Sequence, residues 1–182
     1  MSRNTSPDCS MHHSVRLMHF DPRWKQEFEQ TRSGILQSCN GWVTQVEHIG
    51  STAISGMIAQ PIIDIVAAVD DDQHREQAIE ESSTLIEGLY FGRRQPPMWA
   101  AETIVLEKPR GGDPTHRVFL TYTGSPFLRS ALLIRQRLAD DRELSLRFET
   151  TKVDRWRHGE GDPNRYAADK SVFFAHVIEQ AE

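Results

Sequence analysis

The chain has 182 residues, of which 38% are hydrophobic and 26% charged, and its formal net charge is −5 at pH 7. This composition is typical of one globular domain with a substantial core, and it excludes an intrinsically disordered chain. The negative charge makes a globally basic nucleic-acid-binding protein a poor interpretation. No apolar run reaches 18 residues, so a transmembrane helix is excluded and no membrane partner is expected.

The first 14 residues are polar and show no hydrophobic period. We therefore expect a disordered tail over 1–14 and one folded domain over 15–182. The tail lacks the apolar stretch of a secretory signal. The two cysteines, Cys9 and Cys39, are too few for a disulfide scaffold or a zinc cluster, which favours a cytoplasmic location.

Hydrophobic spacing and helix-ending residues predict alternating helices and strands in the first half of the chain. Asp21 can accept hydrogen bonds from the free N–H groups of a helix start, Pro22 suits the first helical position, and Asn40-Gly41 ends the helix. The predicted elements are a strand over 15–20, a helix over 21–39, a strand over 42–49, a loop over 50–60, a central apolar strand over 61–69 and a helix over 73–87.

The second half is predicted to contain a hairpin followed by helices. A Gly-Gly-Asp-Pro sequence at 111–114 separates two apolar segments and is typical of a turn. The predicted elements are a strand over 89–92, a loop over 93–101, hairpin strands over 102–108 and 116–122, and helices over 127–139, 142–156 and 163–180. This order predicts an α/β (α+β) fold, in which helices flank one mixed sheet and the C-terminal helices pack alongside.

Charge is unevenly distributed along the chain. Residues 64–87 contain eight acids and one base, whereas residues 127–157 contain eight bases and five acids. Two interpretations remain open: solvated helix faces, or a basic wall that faces an anionic ligand.

The segment over 47–65 carries the clearest chemical signal. Gly50 and Ser51 follow a predicted strand, and this pair suits phosphate because glycine allows close backbone approach while serine adds a hydroxyl. Asp64 interrupts the next apolar strand, where a carboxylate is costly unless it is paired or binds a cation. The alternative is that Asp64 caps the preceding loop.

This pattern resembles the nucleotidyltransferase superfamily, whose signature is Gly-Ser, a loop, and Asp on the next strand. The sequence Glu-His-Ile-Gly-Ser-Thr at 47–52 and Pro-Ile-Ile-Asp-Ile at 61–65 look like the GrpB family. Further matches are Gly56, Asp-Pro-Arg-Trp at 21–24, Tyr166, Lys170 and Phe174. The resemblance covers about 15–177 and implies a nucleotidyltransferase-like mixed sheet, but not one particular reaction.

The resemblance also implies roles for individual residues. Asp64 would hold Mg²⁺, with Glu47 as a second carboxylate from the neighbouring strand, and Gly50 and Ser51 would hold phosphate. His48 or His116 would act as the base, and we expect His116 to face the same cleft as Asp64. The basic residues that would contact the phosphates of ATP or another nucleoside triphosphate are Lys108, Arg117, Arg135, Lys152 and Lys170. Each histidine and each basic residue also has a structural alternative, as part of the core or the solvated surface.

One departure from the superfamily pattern keeps two functions open. Val66 occupies the position where nucleotidyltransferases usually carry a second carboxylate. The first hypothesis is an enzyme that uses a nucleoside triphosphate and Mg²⁺ to modify or activate a small molecule, by nucleotidyl transfer, phosphoryl transfer or ligation. The second, which Val66 favours, is a degenerate regulatory module that binds a nucleotide or anion. A weaker third option is an interaction module that docks through its basic helices.

Overall fold

The computed structural model describes residues 16–158, so the predicted tail and the predicted helix over 163–180, with Lys170, lie outside the described residues. Within 16–158 the chain forms four α-helices, five strands and two short 3-10 helices, Ser51–Ala53 and Met98–Ala100. In chain order the main elements are α1 Arg23–Ser38, β1 Val43–Ile49, β2 Ile63–Val69, α2 Arg75–Glu87, β3 Gly92–Arg94, β4 Ile104–Lys108, β5 His116–Tyr122, α3 Pro126–Asp140 and α4 Arg142–His158.

The five strands form one mixed sheet in the order β1-β2-β5-β4-β3. Only the β2–β5 pair is parallel, and the other neighbouring pairs are antiparallel. The predicted mixed sheet flanked by helices is therefore confirmed. One edge of the sheet collects the end of β1 and the beginnings of β2 and β5, which brings Ile49 opposite Asp64 and Asp64 opposite Arg117.

The two faces of the sheet pack against different helices, because successive residues of a strand point to opposite sides. Ile63 and Ile65 belong to the main core, which they form with residues of α1 and α2. Val66 and Phe119 belong to a second cluster on the other face, with Leu128 of α3. We call these the α1/α2 face and the α3 face.

A third, smaller hydrophobic cluster lies outside the sheet. Ile54 and Met57, in the loop between β1 and β2, pack there against Leu138 of α3 and Phe148 of α4. This cluster joins the Gly-Ser segment to the last two described helices.

The limits of several elements differ from the predictions, and β2 and β4 each begin two residues later than predicted. Helix α1 begins one residue later than Pro22, although Asp21 Oδ1 still accepts a hydrogen bond from the Arg23 N–H at 2.9 Å. The strand over 15–20 is reduced to one bridge between Met18 and Ala59. Strand β3 begins later than predicted, because the N–H groups of 89 and 90 bond back to carbonyls of α2 and extend its turn. Within 16–158, no helix combines the length and apolarity needed to span a bilayer.

Candidate functional site

The two halves of the Gly-Ser…Asp motif meet at the edge where β1 ends and β2 begins. Gly50 has φ 73° and ψ −173°, a conformation that is essentially restricted to glycine. A Cβ added to Gly50 would lie 2.8 Å from Asp64 Oδ2. The Asp64 carboxylate therefore rests directly against the backbone of this turn, and glycine is required both by the torsion angles and by the close approach.

Asp64 is part of a row of ion pairs on the α3 face. Arg117 Nη1 lies 3.5 Å from Asp64 Oδ1, and Arg117 Nε donates to Glu107 Oε1 at 2.7 Å. Arg94 extends the row, with its Nε 3.3 Å from Glu107 Oε2. Burial alone would lower the pKa of the Arg117 guanidinium, but Asp64 and Glu107 outweigh it and raise that pKa. Arg117 is therefore a fixed positive charge between two carboxylates.

The ion-pair role of Arg117 was not predicted from the sequence, which indicated this residue only as a candidate phosphate contact. No local pattern could have revealed it, since 53 residues separate Asp64 from Arg117. The parallel register of β2 and β5 is what makes them neighbours.

Glu47 lies on the same face as Asp64, because it is two residues before Ile49, the cross-strand partner of Asp64. Diagonal positions of this kind are about 7–8 Å apart. Glu47 Oε2 accepts a hydrogen bond from Arg135 Nη1 at 2.9 Å, and the same nitrogen donates to the His48 carbonyl. Arg135, from α3, thus ties the helix to β1 beside the Gly-Ser turn.

The acidic groups at this edge do not fit a resident two-metal centre. Each of the two carboxylates predicted to hold Mg²⁺ contacts its own arginine, and Val66 is buried at the position of the missing acid. Among residues 16–158, no three His, Cys, Asp or Glu side chains form a cluster suited to a metal ion.

Lys152 supplies a buried positive charge to the Gly-Ser turn. This side chain comes from α4, is 4% exposed, and donates to Ser51 Oγ at 3.2 Å and to the Ile58 carbonyl. Its Nζ lies 4.5 Å from the ring centroid of Phe148. Because Glu149 also accepts from the Ile58 N–H, α4 bonds to both backbone polar groups of this loop residue.

Three other predicted site residues lie on the opposite side of the sheet. His116 pairs with Ile63 rather than with Asp64, and Lys108 pairs with His116. The prediction that His116 shares a cleft with Asp64 is therefore wrong, because a register offset of one residue reverses the face. His48 pairs with Ile65 and also belongs to the α1/α2 face. The structure brings together Gly50, Ser51, Asp64, Glu47, Arg135 and Lys152, and separates them from His48, His116 and Lys108.

His48 makes contacts that explain its position without a ligand. Its ring stacks on Phe28 of α1, with a centroid distance of 4.7 Å and an angle of 14°. The Thr52 hydroxyl donates its single proton to the Ile62 carbonyl, so it must accept from His48 Nε2, 3.0 Å away. Burial, then the charges of Arg135 and His116, lower the pKa of His48 from 6.5 to about 4. His48 is neutral at pH 7 and links β1 to Thr52, which in turn bonds to the residue before β2.

We expect His48 to make the protein sensitive to acid. The unfolded chain binds a proton near pH 6.5 and the folded chain only near pH 4, so stability falls as the pH decreases through this window. The expected loss is about 3 kcal/mol between pH 7 and pH 4. Urea titrations should show that His48→Gln removes this part of the pH dependence, whereas the exposed control His19→Gln keeps it. Parallel stability curves for the parent and His48→Gln would contradict the assignment.

This chain is similar in sequence or in structure to several known proteins. A family model described as GrpB protein matches residues 14–180. A UPF0157 protein of Streptomyces coelicolor is 32% identical over 160 residues, which cover 86% of this chain and 78% of that protein. The crystal structure of the conserved protein GrpB from Enterococcus faecalis has 21% identity and a TM-score of 0.73, and it covers 92% of this chain and 100% of that one.

A longer relative matches over most of this chain. A dephospho-CoA kinase of Mycobacterium tuberculosis is 26% identical over 189 aligned residues, which cover 92% of this chain but 46% of the kinase. A 58-residue match to another relative covers 32% of this chain and 30% of that protein. This chain therefore spans less than half the length of the dephospho-CoA kinase.

Proposed function

Because this chain belongs to the GrpB family, we propose that it binds the phosphate groups of a nucleotide at the Gly50-Ser51 turn, as a binding module. The observation that carries this proposal is the bond from buried Lys152 to the Ser51 hydroxyl, in the turn where the positive φ of Gly50 follows β1. A hydroxyl and a cationic side chain are groups that bind phosphate in proteins. Arg135 and Arg117 add two more cations nearby.

The pairing of the carboxylates favours binding over two-metal catalysis. A two-metal mechanism requires acids whose charge is directed at the metal ions. Here Asp64 and Glu47 are matched by Arg117 and Arg135, and Val66 cannot contribute a ligand. Neither His48 nor His116 lies on the face of Asp64, so neither supports a base at this position.

A second candidate is an enzyme that uses a nucleoside triphosphate and Mg²⁺ to modify or activate a small molecule. This candidate is favoured by the unequal ion pairs of Arg117. Its Nε lies 2.7 Å from Glu107 Oε1, whereas its Nη1 lies 3.5 Å from Asp64 Oδ1. Arg117 can keep its shorter bond while Asp64 turns to one cation carried by the nucleotide phosphates. Magnesium is often held in this way, by one or two carboxylates together with substrate phosphates.

Calorimetric titration with ATP, in Mg²⁺ and separately in EDTA, distinguishes the two candidates. For a binding module we expect ATP to bind in EDTA, Asp64→Asn to change the Kd by less than about threefold, and Lys152→Met to weaken binding about tenfold or more. Lys108→Met, on the other face, is the matched control. Binding only with Mg²⁺, lost in Asp64→Asn and accompanied by ATP turnover, would support the enzyme. If ATP fails to bind under either condition, both candidates are rejected.

Asp64→Asn is suitable for this test because we expect it to fold normally. The amide keeps the shape of the side chain against Gly50, and Arg117 keeps its 2.7 Å bond to Glu107. The free energy of unfolding should change by less than about 1 kcal/mol. A much larger loss would identify Asp64 as a structural cap of the loop instead.

A further inference from the structure

Three aromatic rings form a platform on the α3 face. Trp99, from the 3-10 helix Met98–Ala100, lies over Phe119 of β5 with a centroid distance of 5.4 Å. It also stacks on Phe127 of α3 at 6.1 Å and 20°. Phe119 is 1% exposed, whereas Trp99 is 43% exposed. We call Trp99, Phe119 and Phe127 the aromatic platform.

The aromatic platform lies next to the proposed phosphate site. Phe119 and Arg117 are alternate residues of β5, so their side chains leave the same face of the sheet about 7 Å apart along the strand. Asp64 is the cross-strand partner of Arg117, and Gly50 lies against Asp64. A ligand whose phosphates occupy the Gly50-Ser51 turn would therefore extend along this face toward Trp99.

Packing within the platform does not account for the open part of the indole ring. Trp99 is fixed by two supporting rings, yet nearly half of it faces solvent, and its neighbour Met98 is 94% exposed. Exposed apolar side chains that lie together, rather than singly, are typical of a binding site. A tryptophan that is held rigidly and left partly open is suited to stacking against a flat ring, since it loses little rotamer freedom on binding.

We propose that the aromatic platform stacks the base of the nucleotide, with Trp99 as the contacting side chain. This inference rests on the proposed function, because the phosphate site determines where the base can reach. Stacking uses the face that every base possesses, so it predicts weak discrimination among the four bases. The ion-pair row would then lie beneath the sugar and phosphates, between the platform and the turn.

The test compares ATP with inorganic tripolyphosphate, which carries the phosphates without a base. In the parent, ATP should bind more tightly than tripolyphosphate. Trp99→Leu should weaken ATP binding about tenfold and change tripolyphosphate binding by less than about twofold. Trp99→Phe should restore most of the loss. The matched control is Tyr90→Leu, another exposed aromatic, which follows α2 and lies away from the α3 face.

The remaining outcomes decide against the aromatic platform or against the phosphate site. Equal affinity of the parent for both probes, or unchanged ATP binding by Trp99→Leu, would overturn the platform while leaving the phosphate site intact. Equal weakening of both probes in a folded Trp99→Leu protein would also overturn it, because the change would then act through structure. If neither probe binds the parent, the proposed function fails, and the platform proposal fails with it.

Discussion

Arg117→Met should lower the free energy of unfolding by about 3 kcal/mol at pH 7, because it removes the counter-charge of Asp64 and leaves Glu107 with Arg94 alone. The side chains of Asp64 and Glu107 are only 13% and 16% exposed, so solvent compensates them poorly. Methionine keeps most of the arginine stem, which separates the loss of charge from a loss of packing. Urea denaturation, followed by circular dichroism, measures the change.

Arg93→Met is the matched control for this prediction. Arg93 lies in β3, which β4 separates from the strand of Arg117, and it contacts Glu80 and Glu87, whose side chains are more exposed. Its removal should cost less than about 1 kcal/mol. Adding Asp64→Asn to Arg117→Met should recover part of the loss, since the carboxylate that lost its counter-charge is then neutral. Equal losses of unfolding free energy for Arg117→Met and Arg93→Met would mean that burial of the ion-pair row contributes little to stability.

Gly50→Ala should cost about 3 kcal/mol of stability, for two separable reasons. The φ and ψ angles of Gly50 fall in a region that other residues avoid. The new Cβ would also lie 2.8 Å from Asp64 Oδ2 and 3.3 Å from Asp64 Cβ, so that side chain must move. Thermal and urea unfolding of the variant measure the total loss of unfolding free energy.

Two further variants separate the backbone strain from the clash. Gly124→Ala has a similar positive φ of 75°, but its added Cβ would meet nothing within 4 Å, so it should cost less than Gly50→Ala. An Asp64→Ala background removes the 2.8 Å clash with the carboxylate oxygen and keeps the 3.3 Å contact with the Cβ of residue 64, so the cost of Gly50→Ala should fall. An unchanged cost in that background would show that contact with the Asp64 carboxylate contributes nothing.

Strands whose limits depend on local sequence were predicted well. Strand β5 was predicted at its observed limits, because alternating apolar residues follow a Gly-Gly-Asp-Pro turn. The helices α1 to α4 begin and end within two residues of their predicted limits. Strand β3 was displaced because Leu89 and Phe91 are apolar without belonging to a strand. They cover the core from the turn after α2, a role that only tertiary packing determines.

One part of the candidate site could be predicted from the sequence and another part could not. Gly50, Ser51 and Asp64 could be placed together, since β1 and β2 are consecutive strands that pair directly. The ion-pair partner of Asp64 could not be predicted. The alternation of apolar residues shows which side chains of a strand share a face, but it does not give the register between two strands. For that reason His116 was expected beside Asp64, where Arg117 lies instead.

The attachment of α4 to the other described elements allows this helix to unfold locally. Helix α4 is joined to the remainder of the described chain through α3 and through the loop cluster of Ile54, Met57, Leu138 and Phe148, which is separate from the main core. Elements held by a small peripheral cluster can unfold locally while the central strands remain folded. Each such fluctuation withdraws Lys152 from Ser51. If the turn binds an anion as proposed, its affinity is linked to the local unfolding equilibrium of one helix, and the bound anion would in turn keep that helix folded.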